Sequence, residues 1–232
     1  MNQHTPTSEK RILSPEAIFA LNKKYRSLRP IQRISELYND FDVNEVMLTS
    51  SFAATSALFL KLFSDVNINQ TIYFIDTGYH FTETLNYKKE LSRLYNLNVK
   101  SISALVEEHD FTSKDETWTK NPDQCCYINK VKPLDVIKNK YTVWASGLME
   151  WQSDHRSSLD IFEMRGEILK FYPLLDVTKE NRDVYMDKEN LPLHPLVSKG
   201  FHSIGCKHCT VPSEGRTGRW NNNPKTECGL HL

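Results

Sequence analysis

Apolar residues recur at helical spacing near the start of the chain. Ile18, Leu21 and Tyr25 form one such run, and a second run follows Pro30. Apolar side chains at this spacing share one face of a helix, and a proline ends one helix or begins the next. We therefore predict two short helices over residues 15–38, divided at Pro30, with Ser14 as the N-cap of the first.

From residue 45 onward, short apolar stretches alternate with longer stretches of helical periodicity. The predicted strands span residues 45–50, 71–76, 99–103, 143–147 and 170–173, and predicted helices span residues 52–63 and 80–95. Each pair of parallel strands needs a crossover connection, so this alternation favours a mostly parallel sheet with helices on both faces. The predicted fold class is α/β.

Three loops leave the carboxyl ends of predicted strands, where open α/β sheets bind their ligands. The loops contain Ser50 and Ser51, Asp76 and Gly78, and Gly147. Hydroxyl groups and backbone N–H groups at a strand-to-helix junction can hold an anion. We therefore expect these residues to contact a substrate.

The chain becomes rich in glycine, proline, asparagine and histidine after about residue 190 and loses its periodicity. Such composition is typical of irregular structure. We predict an α/β domain with an N-terminal helical cover over residues 1–190 and an irregular C-terminal tail over residues 191–232.

Composition narrows the classes of function. Lysine plus arginine number 29, as do aspartate plus glutamate, so the chain lacks the positive field that drives non-specific binding to nucleic acid or membranes. The first residues carry no apolar secretion signal, and no window has the length of a membrane span. We expect a cytoplasmic protein with one sizeable core.

Five cysteines fall as the adjacent pair Cys125 and Cys126, the pair Cys206 and Cys209, and Cys228 alone. In a reducing compartment they are better interpreted as metal ligands or catalysts than as disulfides. Two close pairs can surround a zinc ion or an iron-sulfur cluster, and adjacent ligands favour the cluster because structural zinc sites usually space their paired cysteines. A thioredoxin-like redox pair at Cys206 and Cys209 is the alternative, although their glycine- and proline-containing surroundings do not resemble the start of a helix.

Several stretches resemble the adenylyl sulfate (APS) and phosphoadenylyl sulfate (PAPS) reductase family. They are residues 75–84, 125–134, 191–196, 203–210, 218–220 and 225–231. The resemblance implies an adenine nucleotide alpha hydrolase-like fold, in which residues 1–190 form the nucleotide-binding domain and residues 191–232 form a cluster loop and catalytic tail. It also implies an oxidoreductase of assimilatory sulfate reduction and cysteine biosynthesis.

By the same resemblance, Cys125, Cys126, Cys206 and Cys209 ligate a [4Fe-4S] cluster, and Cys228 attacks the sulfur of the sulfonucleotide. This attack releases AMP and leaves an S-sulfocysteine, from which thioredoxin or glutaredoxin liberates sulfite. The remaining residues implied or expected to bind the substrate are Lys130, Arg156, Arg216, Arg219 and His231. The cationic members of this set that flank Cys228 in sequence would favour its thiolate form.

Three departures from the family pattern bear on the substrate. The family often has arginine where this chain has Asn129, Met149 and Glu150. Fewer cations would disfavour the additional 3′-phosphate of PAPS, so APS is the expected substrate and PAPS the alternative. Ala53 and Ala54 stand where related loops usually carry glycine.

A different function is also compatible with the same five cysteines. A zinc-stabilised nucleotide-binding module without redox activity would use the four paired cysteines structurally and leave Cys228 incidental. His194 is expected to hold the turn before the cluster loop. The sequence leaves room for a homo-oligomer.

Overall fold

The computed structural model describes residues 12–220, 223, 225 and 227–230. Its helices, in chain order, are α1 (Pro15–Arg26), α2 (Pro30–Asp40), α3 (Ser56–Val66), α4 (Thr82–Leu94), α5 (Val106–Lys114), α6 (Thr117–Lys120), α7 (Pro122–Cys126), α8 (Lys132–Lys138), α9 (Asp154–Ser157) and α10 (Lys179–Lys188). One π-helical turn, Tyr127–Val131, joins α7 to α8. Turns of 3₁₀ helix lie at Val43–Glu45, Glu150–Gln152, Val197–Lys199 and Lys207–Cys209.

The two N-terminal helices lie where the sequence predicted them. The Ser14 side chain accepts a hydrogen bond from the Ala17 backbone N–H at 3.3 Å and so caps α1. Pro30 is the first residue of α2, where the missing N–H has no intrahelical partner to lose. The buried ring of Tyr25 packs edge-on against that of Phe162, with centroids 4.8 Å apart. These helices cover one face of the sheet.

The strands form one sheet in the order β3-β2-β1-β4-β6-β5. Their bounds are β1 (Val46–Thr49), β2 (Thr71–Ile75), β3 (Asn98–Ile102), β4 (Val143–Ala145), β5 (Phe162–Arg165) and β6 (Ile168–Phe171). The pairs along β3-β2-β1-β4-β6 are parallel, and β5 pairs antiparallel with β6. The predicted mostly parallel α/β sheet is confirmed.

Strand β5 was not predicted from the sequence. Its four residues alternate Phe162 and Met164 with Glu163 and Arg165, a pattern too short to distinguish from a loop. A tight turn containing Gly166, whose φ is +59°, connects β5 to β6. An antiparallel strand can follow its neighbour through a tight turn, without a crossover helix. The alternation of helical and extended segments therefore does not indicate β5.

Side chains on each strand alternate between two cores. Along β1, Val46 and Leu48 point into the larger core, which α1, α2, α3, α4 and α10 also fill. Met47 points to the other face and packs with Leu134 of α8. Helices therefore cover both faces of the sheet, as predicted.

The described chain after α10 is irregular. It contains the two 3₁₀ turns Val197–Lys199 and Lys207–Cys209 and forms isolated bridges such as that between His80 and Cys206. The division into residues 1–190 and 191–232 stays a prediction. No helix in the described ranges is long and apolar enough to cross a membrane.

Candidate active site

A cavity of about 730 Å³ opens where the strand order reverses, between β1 and β4. The loops that follow these two strands separate there, as in other open α/β sheets that bind ligands at such a point. Ser50 and Ser51 from the first loop and Ser146 and Gly147 from the second line the cavity. Ser50, Ser51 and Gly147 are among the residues that the sequence predicts to contact the substrate.

The loop after β1 is longer than predicted. Phe52 has a φ of +49°, a left-handed conformation that interrupts any helix, and α3 begins at Ser56 instead. The Ser50 hydroxyl accepts a hydrogen bond from the Phe52 N–H at 3.1 Å and fixes this turn. Ala53 and Ala54 line the cavity at this loop.

The loop after β4 approaches α3 closely at Gly147. A Cβ atom at this position would lie 2.9 Å from Cγ of Phe59, so only glycine fits without a shift. The neighbouring Ser146 Oγ is buried and has no hydrogen-bond partner among the described residues. Buried hydroxyls are nearly always paired, so this group marks a place where a ligand would supply the partner.

The loop after β2 contributes differently from the sequence prediction. Asp76 and Gly78 do not line the cavity, whereas Thr77 and His80 do. The Asp76 carboxylate accepts a hydrogen bond from the Gly78 N–H at 3.1 Å, and Gly78 has a φ of +71°. A Cβ atom at Gly78 would lie 2.5 Å from Cε1 of His109. Both residues therefore shape the turn. The structure does not bring Asp76 and Gly78 to the other predicted contacts, and His231 lies outside the described residues.

Two of the predicted arginines share one carboxylate. Arg156, on α9, is buried and donates to Glu227 through Nε at 3.0 Å and Nη2 at 3.1 Å. Arg216 donates to the same carboxylate at 3.0 Å. Burial and the nearby Arg156 charge lower the pKa of Arg216 to about 10. Glu227 lies in the 225–231 motif, but nothing in the sequence indicates that its carboxylate is buried.

The third arginine, Arg219, lies against the backbone of the cysteine loop. A Cβ atom at Gly205 would come 2.3 Å from Arg219 Nη2, so a larger residue there would displace this guanidinium group. Arg219 Nε and the indole Nε1 of Trp220 are buried and have no hydrogen-bond partner among the described residues. Both residues line the cavity. These donors, like Ser146 Oγ, are available to a bound anion.

Cys228 lines the same cavity as Arg156, Arg216, Arg219 and Lys130. Its thiol is half-buried and forms no disulfide. The structure therefore brings together the predicted nucleophile and the predicted cations, although they are far apart in sequence.

The four remaining cysteines line a second, smaller cavity. Cys125, Cys126 and Cys206 are buried and Cys209 is half-buried. Lys130 and Cys206 line both cavities, so this lysine lies between the four-cysteine group and the larger cavity.

The adjacent cysteines lie at the end of α7, directly before the π-helical turn. The Asn121 side chain caps α7 by accepting from the Gln124 N–H at 3.0 Å. The wider turn that follows places Asn129 Nδ2 at 3.7 Å from Cys125 Sγ and Lys130 Nζ at 3.8 Å from Cys126 Sγ. π-Helical turns often occur at functional sites.

The other pair lies in a loop, as the sequence indicated. Cys206 forms a β-bridge with His80, and its Sγ lies 3.4 Å from the Thr77 hydroxyl. A single 3₁₀ turn, Lys207–Cys209, follows Cys206. A thioredoxin-like pair would open a longer helix, so the loop does not favour that alternative.

The four paired thiols lie close enough to raise one another's pKa, and thiols gathered in this way fit the donor set of a metal cluster. Burial, together with the neighbouring thiolates, raises the pKa of Cys125 to about 12 and that of Cys209 to about 11. Burial alone would lower the pKa of Lys130, but the thiolates of Cys206 and Cys126 raise it by more. Buried thiolates need compensating positive charge and donors to sulfur, which a thiolate-ligated cluster and its surroundings provide. In the described residues, no three His, Cys, Asp or Glu side chains converge to hold a single metal ion.

The residues that depart from the family pattern at 129, 149 and 150 do not line the substrate cavity. Asn129 is buried and donates to the Thr112 hydroxyl and the Cys125 carbonyl, each at 3.0 Å. Met149 is buried in the larger core, and neither it nor Glu150 lines the cavity. The expectation that these departures leave fewer cations for the substrate stays a prediction.

Several residues at or beside the cavity are not predictable from the motifs. Lys179 and Arg182 of α10 line it, and Lys170 of β6 lies beneath the C-terminal segment. For Lys170 a signal existed, because it is the single charged residue in the apolar strand Ile168–Phe171. No such sequence signal marks Lys179 and Arg182 of α10, because charged residues on a surface helix are ordinarily solvated.

Comparison with known proteins places the chain in a family. A family model described as the phosphoadenosine phosphosulfate reductase domain matches residues 45–212. The chain is 34% identical over 226 residues to an adenosine 5′-phosphosulfate reductase of Lysinibacillus sphaericus, covering 94% of this chain and 96% of that protein. It is 32% identical over 222 residues to a phosphoadenosine 5′-phosphosulfate reductase of Gloeobacter violaceus, covering 91% and 92%.

Solved structures agree with this placement. The crystal structure of phosphoadenylyl-sulfate (PAPS) reductase from Candida auris matches with a TM-score of 0.75 and 25% identity. The match covers 87% of this chain and 100% of that chain. Yeast FAD synthetase matches with a TM-score of 0.54 and 15% identity, covering 86% and 75%, which supports the adenine nucleotide alpha hydrolase-like fold alone. Matching motifs, fold and sequence along most of the chain thus lead to one conclusion: the chain belongs to the phosphoadenosine phosphosulfate reductase domain family.

Proposed function

We propose that this chain reduces adenylyl sulfate to sulfite and AMP, with Cys228 as the nucleophile. The observation that carries the proposal is the shared cavity, in which Cys228 lies with Arg156, Arg216, Arg219 and Lys130. A thiol beside several cations is suited to attack an anionic phosphosulfate, because the cations hold the substrate and stabilise the departing phosphate.

The proposed reaction has two steps. The Cys228 thiolate attacks the sulfur atom of the substrate, the bond from that sulfur to the phosphate oxygen breaks, and AMP leaves with the bonding electrons. The sulfonate group remains on Sγ as S-sulfocysteine. A thiolate of thioredoxin or glutaredoxin then attacks Sγ, sulfite leaves, and the second thiol of the reductant resolves the mixed disulfide. The dithiol thus supplies the two electrons, in the cytoplasm.

Specific residues would serve the first step. The charge that develops on the leaving phosphate would be met by the guanidinium groups of Arg156 and Arg216 while Glu227 stays paired with them. Ser146 Oγ and Arg219 Nε, buried and without partners among the described residues, would donate to substrate oxygens. Donors already in place stabilise developing charge without reorganising during the reaction.

We further propose that Cys125, Cys126, Cys206 and Cys209 hold a [4Fe-4S] cluster. When bound, the cluster would tie the end of α7 to the 206–209 loop and set the charge beside the substrate cavity. Lys130, which lines both cavities, would hold a substrate oxygen on one side while its ammonium stays close to the Cys126 sulfur, now 3.8 Å away.

APS is proposed in preference to PAPS because the full set of paired cysteines resembles that of APS reductases. PAPS is the second candidate, and one observation favours it: Lys179 and Arg182 line the same cavity and would offer cations to a 3′-phosphate. Each charge-assisted hydrogen bond is worth roughly 1.5 to 3 kcal/mol, so the choice between the substrates is measurable.

The test uses anaerobically purified protein and substrate without reductant. We expect the C-terminal peptide that contains Cys228 to gain one sulfonate group by mass spectrometry, and sulfite to appear only when thioredoxin is added. Cys228→Ser should abolish both results and keep nucleotide binding. Sulfonate on any other cysteine would refute the assignment of the nucleophile.

Iron and sulfide analysis of the same sample distinguishes the cluster from the zinc-stabilised module. We expect about four irons and four sulfides per chain, with absorbance in the visible range. One zinc ion without sulfide would support the non-redox module instead.

A further inference from the structure

A lysine is buried on the face of the sheet that lies beneath the C-terminal segment. Lys170 of β6 is 2% exposed, and its side chain points to the same face as Met47, Trp144 and Ile168. Burying an ammonium group among apolar side chains is costly, so such a lysine needs specific partners. Lys170 does not line the substrate cavity.

The partners of Lys170 include the C-terminal segment itself. Its Nζ donates a hydrogen bond to the Leu230 carbonyl at 2.9 Å and lies over the Trp144 ring, 2.9 Å from the centroid. The Leu230 side chain packs against the same small core. Burial lowers the pKa of Lys170 to about 6, and an uncharged amine still donates this hydrogen bond.

The bonded carbonyl is two residues beyond Cys228. On the other side of Cys228, Glu227 is held by Arg156 at 3.0 Å. The intervening Gly229 has a φ of +81°, which allows the sharp turn between these anchors. Cys228 is thus fixed between one anchor at Glu227 and another at Leu230.

We propose that Lys170 is a positioning residue that docks the C-terminal segment and thereby holds Cys228 at the cavity. This inference rests on the proposed role of Cys228 as the nucleophile. Lys170 acts through the backbone of the segment and does not contact the substrate. Its loss should therefore lower kcat and leave KM nearly unchanged, because the substrate anions are held by other residues.

The test compares Lys170→Met with Lys170→Gln. Methionine fills a similar volume in the apolar surroundings but cannot donate a hydrogen bond, whereas the glutamine amide can. Lys138→Met is the matched control, because Lys138 is a neighbouring lysine on α8 that pairs with Asp135 at the surface. The readouts are the iodoacetamide alkylation rate of Cys228, followed in its C-terminal peptide, the melting temperature, and kcat and KM.

We expect Lys170→Met to alkylate about fivefold faster at Cys228 and to lose about fivefold in kcat, the effect of one lost hydrogen bond on docking. Its melting temperature should be equal or higher, because an apolar side chain replaces a buried amine. Lys170→Gln should show a smaller rise in alkylation rate and a smaller fall in kcat than Lys170→Met, and Lys138→Met should match the wild type.

An unchanged alkylation rate in Lys170→Met would overturn the inference. A lower melting temperature with no difference between the methionine and glutamine variants in alkylation would likewise assign Lys170 a structural role only. Alkylation needs no turnover, so these outcomes are distinct from failure of the proposed reductase activity, which would appear as a wild-type protein that releases no sulfite.

Discussion

At the scale of single residues, Glu227 occupies an unusual position beside the proposed nucleophile. Its side chain is 1% exposed and accepts hydrogen bonds from both Arg156 and Arg216. Removing one partner of a buried ion pair leaves an uncompensated charge, so this pair is costly to break. A substrate anion that reaches these arginines must compete with this internal carboxylate.

We predict that Glu227→Gln binds AMP about three- to tenfold more tightly than the wild type, because a neutral amide competes less strongly for the arginines. Turnover should fall, because the segment that carries Cys228 loses its anchor. Calorimetric titration with AMP measures the first effect and sulfite release the second.

The control is Glu214→Gln. Glu214 also lines the cavity, but it is 92% exposed and pairs with His202 at 3.0 Å. Glu214→Gln changes the net charge by the same amount as Glu227→Gln. Among the described hydrogen bonds, Glu214 makes none to Arg156 or Arg216. Equal AMP affinities in the two variants would show that overall charge, and not the internal carboxylate, governs binding.

At the scale of secondary-structure elements, the four-cysteine group joins parts of the chain that would otherwise meet weakly. Cys125 and Cys126 end α7, whereas Cys206 precedes and Cys209 ends a single 3₁₀ turn in the irregular region. The 206–209 loop is held to the loop after β2 by the bond from the Lys207 N–H to the Tyr79 carbonyl at 2.7 Å. A metal group bound at such a junction stabilises the loops it connects.

We predict that Cys206→Ser purifies without the full iron complement and melts at a lower temperature than the wild type, because one ligand is lost and the loop is released from the cluster. Iron analysis and thermal denaturation under anaerobic conditions provide the measurement. Cys228→Ser is the matched control and should retain its iron. Full iron content in Cys206→Ser would contradict the ligand assignment.

The turn before the cysteine loop depends on a buried histidine, as expected from sequence. The Leu196 N–H donates to His194 Nδ1 at 3.1 Å, so Nε2 carries the proton and donates to the Thr84 hydroxyl at 3.0 Å. Burial lowers the pKa of His194 to about 4, from an ordinary value of 6.5. Above pH 6.5 neither folded nor unfolded His194 is charged, and as the pH falls only the unfolded state gains a proton.

We therefore predict that protonation of His194 in the unfolded state lowers the free energy of unfolding by about 2 kcal/mol between pH 7 and pH 5. Urea denaturation of His194→Gln should show a smaller loss over this range than the wild type, although the variant is less stable at pH 7. Parallel curves for wild type and His194→Gln would contradict this origin of the pH dependence.

At the scale of the whole molecule, the sheet order decides where the reactive groups meet. The chain reverses its direction of travel across the sheet between β1 and β4, so the loops after these strands separate and form the cavity. The C-terminal segment then returns to this cavity, where Leu230 packs on the same face of the sheet as α8. A segment held by a few contacts can dock for the first step and release for the reductant.

We predict that kcat/KM for APS exceeds that for PAPS by about tenfold or more, the equivalent of one charge-assisted contact that a dedicated 3′-phosphate site would provide. Initial rates of sulfite release with saturating thioredoxin give the ratio. A ratio near one, or one that favours PAPS, would overturn the preference and leave the cysteine assignments intact. In that case Lys179→Ala should selectively weaken PAPS, since this lysine lines the cavity.

The short-range features of this protein, its helices, strands and motifs, are predictable from the sequence alone. The spacing of apolar residues located α1, α2 and the strands of the parallel sheet, because each depends on a periodicity visible within a short window. The motifs located the cysteines and cations. The antiparallel β5 was missed because four residues carry too little pattern, and its place at the sheet edge follows from pairing with β6.

Which of the cysteines and cations lie together depends on the tertiary structure. It brought Arg156, Arg216, Arg219 and Cys228 to one cavity and directed Asp76 and Gly78 into a turn instead. It also buried polar groups such as Glu227 and Lys170 against partners far away in the chain, Arg156 and Leu230 among them. Burial and long-range pairing depend on how the strands are ordered and where the tail returns, and no periodicity within a segment contains that information.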